Sequence, residues 1–281
     1  RKTWYKKMYP VLLRHHQWLY NDRDPHNEGL VLQLHPWETG LDNTPPWMQE
    51  LVEHQLPLWI RAVNKLHLEW IVDIARRDTK YVHGSERLTA IEALALYSAH
   101  RRLRRKNYET ERILTHSFFA IEDASFNAIF LRANQHLEDI AKYINKNIPI
   151  KLKEKIDKSK IAYEDLWDQY ANQYFSREFV THKLIKIPSI ATLIPLYSGA
   201  ISQERAKKLV RLLEDPGLFG SHYPVPSVPL SSEWFQAHRY WQGPTWINTN
   251  WLIIDGLKRY GFDDHAAALH ETTIELVEKS G

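Results

Sequence analysis

The chain contains no cysteine in 281 residues. Disulfides, thiolate metal sites and cysteine nucleophiles are therefore excluded. The absence favours a cytoplasmic protein, with a cysteine-free periplasmic one as the alternative. Glycine is scarce, at 10 residues, which argues against a turn-rich all-β fold. No apolar run approaches the roughly 18 residues that cross a bilayer. The basic start Arg1-Lys2-Thr3-Trp4-Tyr5-Lys6-Lys7 is followed by no apolar stretch, so neither a membrane partner nor a signal peptide is read. Excess charge of one sign is also missing: 37 basic residues face 34 acidic ones, too even a balance for a nucleic-acid partner. The basic cluster Arg101, Arg102, Arg104, Arg105 and Lys106 reads as a solvated helix end, where cations oppose the helix dipole. Among the 15 histidines there is no His-Glu-x-x-His. Gly-rich phosphate loops and Gly-x-Ser-x-Gly elbows are absent as well.

Aromatic residues are plentiful, with 11 Trp and 14 Tyr. Indoles in such number need partners for their N–H groups as well as space in a core. The dominant period is helical. It predicts helices over 3–20 (Trp4, Met8, Val11, Leu12, His15, Trp18, Leu19), 48–77 with a break near Pro57, 85–105, 111–146 and 151–173. A short hairpin is expected within 173–186 and a helix from Ile187 to about Tyr197. Residues 202–214 form another helix. Residues 215–232, with four prolines, read as a long surface loop. Trp246–Tyr260 and Asp264–Lys279 close the chain as a helical pair. Roughly ten helices with uneven, aromatic-rich loops and no fixed-period repeat predict an all-α fold, an α/α toroid, over a solenoid. No composition break marks a linker, so residues 1–281 read as a single domain.

Three segments carry chemistry. The first is His35-Pro-Trp-Glu-Thr-Gly-Leu-Asp-Asn-Thr-Pro-Pro-Trp47. Its prolines and glycine keep it from being a regular helix, and it sets Glu38, Asp42 and Asn43 among Trp37 and Trp47. Carboxylates beside indoles suit a sugar, whose C–H faces stack on rings and whose hydroxyls need planar partners. Asp42 has a competing use as N-cap of a helix starting near Pro46; Glu38 has one as a loop brace. The second is Arg239-Tyr-Trp-Gln-Gly-Pro-Thr-Trp-Ile-Asn-Thr-Asn-Trp251. Here Trp241 and Trp246 flank a Gly243-Pro244 turn, and Gly243 admits close backbone approach to a ligand. Asn248 lies off the Leu252/Ile253 side and is expected to face a pocket. The third is Ile121–Ala128, read as a helix whose Asp123 and Asn127 share a face in a buried hydrogen-bond network.

These motifs resemble glycoside hydrolase family 63, the (α/α)6-barrel glycosidases. The likeness rests on His35-Pro-Trp-Glu-Thr-Gly-Leu-Asp-Asn, on Phe175-Ser-Arg-Glu-Phe with Lys186-Ile-Pro-Ser-Ile-Ala-Thr-Leu, and on Arg239-Tyr-Trp-Gln-Gly-Pro-Thr-Trp-Ile-Asn. It extends from about residue 15 to the end and is strongest toward the smaller bacterial enzymes of the mannosylglycerate hydrolase type. The resemblance implies an (α/α)6 toroid and an inverting hydrolysis of an α-glucoside or α-mannoside, mannosyl- or glucosylglycerate among them. It implies Asp42 as general acid, with Gly40, Tyr240, Trp241 and Trp246 around the sugar; the two loops themselves offer Trp37, Glu38, Asn43, Gln242 and Gly243 as further substrate contacts. Arg76, with Arg77 as rival, is the expected holder of the substrate's outer part. The substrate is a small molecule or oligosaccharide, and neither a metal nor an organic cofactor is required. The second carboxylate, the base, is expected past Val277-Glu-Lys-Ser-Gly281, and the family's first barrel helices before Arg1, so the chain is read as an incomplete barrel. The alternatives are a non-catalytic or degenerate sugar-binding relative and a trehalase-like toroid glycosidase. The oligomeric state is not read.

Overall fold

A computed structural model describes residues 1–54, 56–75, 86–115 and 119–280. The long helices are α1 (Lys2–Asp22), α5 (Ala90–Arg105), α7 (Ala124–Tyr143), α8 (Ile150–Ala162), α10 (Gln203–Glu214), α11 (Ile247–Arg259) and α12 (Asp263–Ser280). Shorter ones are α2 (Pro45–Met48), α3 (Leu58–Lys65), α4 (Glu69–Ala75), α6 (Thr110–Leu114) and α9 (Pro195–Ser198). They pack side by side: α1 lies on α7, α7 on α8 and α9, α9 on α11, and α11 on α12. Four two-residue strands add small ladders. β1 (Ile121–Glu122) pairs with β4 (Arg177–Glu178), and β2 (Trp167–Asp168) with β3 (Gln173–Tyr174), both antiparallel. Among the described residues, no helix is long and apolar enough to cross a membrane.

Helix ends follow local chemistry. Thr89 and Glu92 form a reciprocal capping box at the start of α5, which satisfies two backbone donors that a helix start leaves unpaired. Asp123 caps α7 through the Phe126 N–H, and Ser202 caps α10. Gly199, at φ +62°, closes α9 in the left-handed conformation that glycine adopts without strain.

Helix α1 has the expected period but a different buried face. Tyr9, His16, Leu19 and Tyr20 are inside, while Trp4, Val11 and Trp18 stay exposed. The buried polar groups are satisfied across three helices. His16 Nδ1 meets Asn134 Oδ1 at 2.8 Å, Asn134 Nδ2 donates to Tyr20 Oη at 2.8 Å, and Tyr20 Oη meets Ser159 Oγ at 2.8 Å. Buried polar atoms cost little when so paired, and the apolar count alone did not reveal this face.

Other expectations are corrected. The helix predicted over 111–146 is broken into α6, β1 and α7, because Asp123 caps rather than continues a helix. The buried network there does form: Asp123 takes hydrogen bonds from Ser125, Ser176 and the Phe126 N–H, and Asn127 pairs with the Val31 backbone. The break expected near Pro57 is present, with Pro57 at the N-cap of α3, and the 48–77 stretch breaks once more before α4, where His67 has φ +53°. The hairpin expected in 173–186 forms over its second part: Arg177 bridges Leu184 in antiparallel fashion, the Glu178 N–H donates to the Lys183 carbonyl and the Ile185 N–H to the Ser176 carbonyl, while β3 belongs to a different ladder. The proline-rich segment 215–232 lies on the surface only in part: residues 215–217, His222 and Ser231 are exposed, whereas Phe219, Val225, Ser227 and Val228 are buried. Its backbone is paired by Asn250, whose Oδ1 accepts from the Val225 N–H and whose Nδ2 donates to the Pro224 carbonyl. Asn250, not the exposed Asn248, is the inward amide of α11.

Candidate active site

The loop that carries Asp42 is built from its own side chains. His35 accepts from the Trp37 N–H through Nδ1 at 3.1 Å, and its Nε2 reaches the Leu96 carbonyl at 3.0 Å. That pattern fixes a neutral imidazole, and burial pushes its pKa down to about 4. Thr39 Oγ1 donates to the Pro36 carbonyl and accepts from the Leu41 N–H and the Trp47 Nε1–H. Trp47 is fully buried, so the loop is moored to the core by an indole. Gly40 turns the chain at φ +76°.

Glu38 is committed within the loop. One oxygen pairs with Arg23 Nη2 at 2.7 Å, and the other accepts from the Leu34 N–H at 2.7 Å. It braces the loop with one bond to each oxygen, and its side chain stays partly exposed. Trp37 is half exposed and packs with His35 and His100 at ring distances of 4.5 and 5.8 Å, not with Trp241 or Trp246. Arg76 and Arg77 lie outside the described residues.

Asp42 does not cap the following helix. Thr44 occupies the N-cap of α2, without a side-chain bond. Asp42 is instead half-buried, and its Oδ2 accepts from the Tyr240 hydroxyl at 3.0 Å. Burial raises the Asp42 pKa, and the phenol hydrogen bond partly opposes the rise. The neighbouring Asn43 joins the same two segments. Its Oδ1 accepts from the Trp241 N–H at 3.0 Å, and its carbonyl from Gln242 Nε2 at 2.7 Å. Asn43 and Gln242 are both fully buried, so they stand behind the surface of the site and tie it together, where a sugar contact had been expected of them.

The second segment closes on itself. Gln236, Arg239 and Gln242 exchange backbone hydrogen bonds. A Cβ on Gly243 would lie 2.0 Å from the Gln236 carbonyl oxygen. The close approach that requires glycine there is therefore made by the chain's own backbone, not by a ligand. Tyr240 sits at φ +29°, an uncommon conformation for a residue with a side chain. Trp241 and Trp246 stack at 4.3 Å with planes 19° apart, and Tyr240 meets Trp246 edge-on at 5.5 Å. The Trp246 Nε1–H donates to the Tyr240 carbonyl at 3.0 Å. Trp241 is buried, while Tyr240 and Trp246 are partly open, so these two present the accessible ring surface.

Two residues of this assembly were not anticipated. Glu92 on α5 accepts from Arg239 Nη2 at 2.7 Å and faces Gln242 Nε2 at 3.4 Å. The Arg87 guanidinium stands 5.6 Å from the centre of the Tyr240 ring. The Thr89-x-x-Glu92 spacing announces a capping box, but its second use is set by a loop far away in sequence. Among the described residues, no three His, Asp or Glu side chains converge as a metal site.

A half-buried carboxyl beside accessible phenol and indole faces, on a framework of paired helices, fits a domain of the helical-toroid glycoside hydrolase class. Residues 1–281 match the mannosylglycerate hydrolase MGH1-like glycoside hydrolase domain, and the chain belongs to that family, within glycoside hydrolase family 63. It is similar to the mannosylglycerate hydrolase of Thermus thermophilus, at 35% identity over 98% of this chain and 63% of the relative. It is also similar to mannosylglycerate hydrolase MGH2 of Selaginella moellendorffii, at 30% identity over 98% and 54%. The chain thus spans 63% and 54% of the length of these two relatives. The fold matches the mannosylglycerate hydrolase of Thermus thermophilus in complex with Tris and D-glycerate, with a TM-score of 0.86, 34% identity, and coverage of 99% of this chain and 64% of that one. The helices described above are accordingly part of an (α/α)6 toroid.

Proposed function

We propose that the protein hydrolyses an α-glycosidic bond by the inverting route, with Asp42 as general acid and a mannosyl- or glucosylglycerate as substrate. The observation that carries the reading is the Asp42–Tyr240 contact at the edge of the Trp241–Trp246 stack. A carboxyl whose pKa is raised by burial stays protonated further toward neutral pH and is suited to protonate a leaving glycosidic oxygen. Tyr240 and Trp246 would offer ring surface to the sugar, and Gly40 a turn that leaves open space beside the acid. In the same displacement a second carboxylate takes a proton from water, which attacks the opposite face of the ring. In inverting enzymes such pairs stand about 6.5–9.5 Å apart. The products are the free sugar of inverted anomeric configuration and the released alcohol.

The substrate class is supported by the relatives. Those named above are mannosylglycerate hydrolases, and a glucosylglycerate hydrolase of Mycolicibacterium hassiacum shares 27% identity over 92% of this chain. A further Thermus thermophilus structure of the mannosylglycerate hydrolase is in complex with glucose. The test is to incubate the full-length protein with mannosylglycerate, glucosylglycerate and trehalose and follow the anomeric protons by NMR. The β-anomer should appear first from one of the two glycerates. First release of the α-anomer would refute inversion, and cleavage of trehalose alone would refute the substrate class.

A further inference from the structure

Tyr240 reaches Asp42 with its backbone at φ +29° and its own N–H bound to the Glu86 carbonyl at 3.3 Å, and such a conformation persists only where its surroundings enforce it. The restraints are visible on both sides of the residue. Downstream, the Trp241 N–H is bound by Asn43 Oδ1, and Gln242 Nε2 by the Asn43 carbonyl. Upstream, the Arg239 guanidinium is bound by Glu92 Oε2 at 2.7 Å, with both side chains largely buried. Glu92 touches both sides, since its Oε1 also faces Gln242 Nε2 at 3.4 Å. The carboxylate is itself fixed, because Oε2 accepts from the Thr89 N–H at 2.8 Å in the capping box of α5. A rigid helix start thus grips both neighbours of the Tyr240–Trp241 pair.

Resting on the reading of Asp42 as the acid, we propose that Glu92 is the positioning residue of this site: through Arg239 and Gln242 it holds Tyr240 so that its hydroxyl engages Asp42. Glu92 is buried, and its partners are Thr89, Arg239 and Gln242. Its charge matters because Arg239 is buried beside it, and a buried guanidinium left without its partner draws its loop toward water. With that grip gone, the strained Tyr240 backbone relaxes and the phenol leaves Asp42. The charged and titratable groups that the structure brings to the Asp42–Tyr240 pair are Arg87 over the phenol ring, then Glu92 and Arg239 behind it. On the Asp42 loop, Glu38 is neutralised by Arg23 and the His35 imidazole is held neutral.

The test is the titration of the Asp42 carboxyl carbon, observed by 13C NMR in the full-length protein and assigned by its loss in Asp42→Asn. In Glu92→Gln the phenol hydrogen bond that favours the ionised acid is lost, so the midpoint should move up. In Glu92→Asp, which keeps the charge, it should lie nearer the wild-type position. In the hydrolysis assay the alkaline limb should move with it, and kcat should fall about 10- to 100-fold, the cost of misplacing a reacting group. A folded Glu92→Gln with an unmoved Asp42 midpoint would overturn the proposal, as would a Glu92→Asp midpoint no nearer to wild type. A lowered melting temperature with an unmoved midpoint would mean that Glu92 merely supports the helix. If Glu92→Gln does not fold, Arg239→Gln removes the same ion pair from its more exposed side and should shift the midpoint in the same direction. The titration needs no turnover. Absence of glycoside hydrolysis by the wild type would therefore remove the glycosidase reading without deciding the role of Glu92.

Discussion

The Tyr240 hydroxyl donates to Asp42 Oδ2 at 3.0 Å, across 198 residues of chain. The contact joins two indole-bearing segments, and it sets two effects on one carboxyl against each other. Burial favours the neutral acid, and the phenol favours the anion. Desolvation is the larger, so the pKa is raised, yet less than burial alone would raise it. The same contact pushes the Tyr240 phenol pKa up, after the effect of its own burial, so the hydroxyl remains a donor.

Tyr240→Phe should therefore raise the Asp42 pKa further. A general acid acts while protonated, so its rate falls as pH rises through its pKa. The alkaline limb of the kcat profile should move to higher pH in Tyr240→Phe, even as the rate at the optimum drops. A limb that moves to lower pH would show that the phenol does not stabilise the anion.

Asp42→Asn should lose about 10²- to 10⁴-fold in kcat, the usual contribution of a positioned general acid. It should also change stability in a defined way. The folded pKa of Asp42 is raised, so the folded state holds its proton more tightly than the unfolded chain. The resulting cost to stability is absent below the unfolded pKa and fully present above the folded one. The amide of the variant carries no such cost and can still accept from Tyr240. Asp42→Asn should unfold at a higher temperature than wild type near neutral pH, with the gain shrinking as the pH falls into the acid range. Thermal melts at the two ends of that range check it.

Helix existence was legible in the sequence for most stretches where apolar residues recur at three and four, although the helix expected over 151–173 ends at Ala162 and gives way to the β2–β3 ladder. Helix rotation was not, where burial is carried by hydrogen-bonded polar aromatics. In α1 the exposed Trp4, Val11 and Trp18 satisfy the apolar period as well as the buried Tyr9, His16 and Tyr20 satisfy the polar one. The proline-rich 215–232 segment looked external because its composition says loop, and its buried part is paired by partners distant in sequence, the Asn250 amide and the Ile190 and Pro244 backbone. At the site, both motifs were legible, and Asp42 was singled out by resemblance. Its competing role as a helix cap was undecidable until Thr44 was seen to stand there. Glu92 was hidden because a capping box accounts for a glutamate at that position without any further partner.

The ladder beside the site makes its own prediction. Glu122 is fully buried and paired with Arg177, whose other contacts are Glu28 at 3.4 Å and Asp165 at 3.8 Å. Burial raises the Glu122 pKa, and Arg177 opposes the rise. Arg177→Met would strand that carboxylate, at a cost of about 3–5 kcal/mol. With the opposing charge gone, the folded pKa of Glu122 stands higher still, so the loss should be greatest at neutral pH and shrink as acid protonates the group. The Glu122→Gln/Arg177→Met double variant should recover much of the stability in urea unfolding at pH 7. Equal stability of the single and double variants would mean that the pair contributes nothing beyond packing.

Two glycines of the site should respond differently to a methyl group. Gly40 has φ +76°, and a Cβ there meets nothing within 4 Å. Gly40→Ala therefore carries only the left-handed backbone cost, about 1–2 kcal/mol, and should fold with Asp42 near its place. Gly243 meets the Gln236 carbonyl at 2.0 Å, so a Cβ forces main chain apart. The Gln236 N–H is bonded to the Gln242 carbonyl, and Gln242 holds Asn43, so displacement of that turn reaches the Asp42 loop. Gly243→Ala should thus lose more than about tenfold in kcat, the scale of a misplaced reacting group, and unfold at a lower temperature than Gly40→Ala. Melting curves and initial rates on the two variants decide it. If Gly243→Ala kept wild-type kcat, the tie between the two segments would not hold the acid in place.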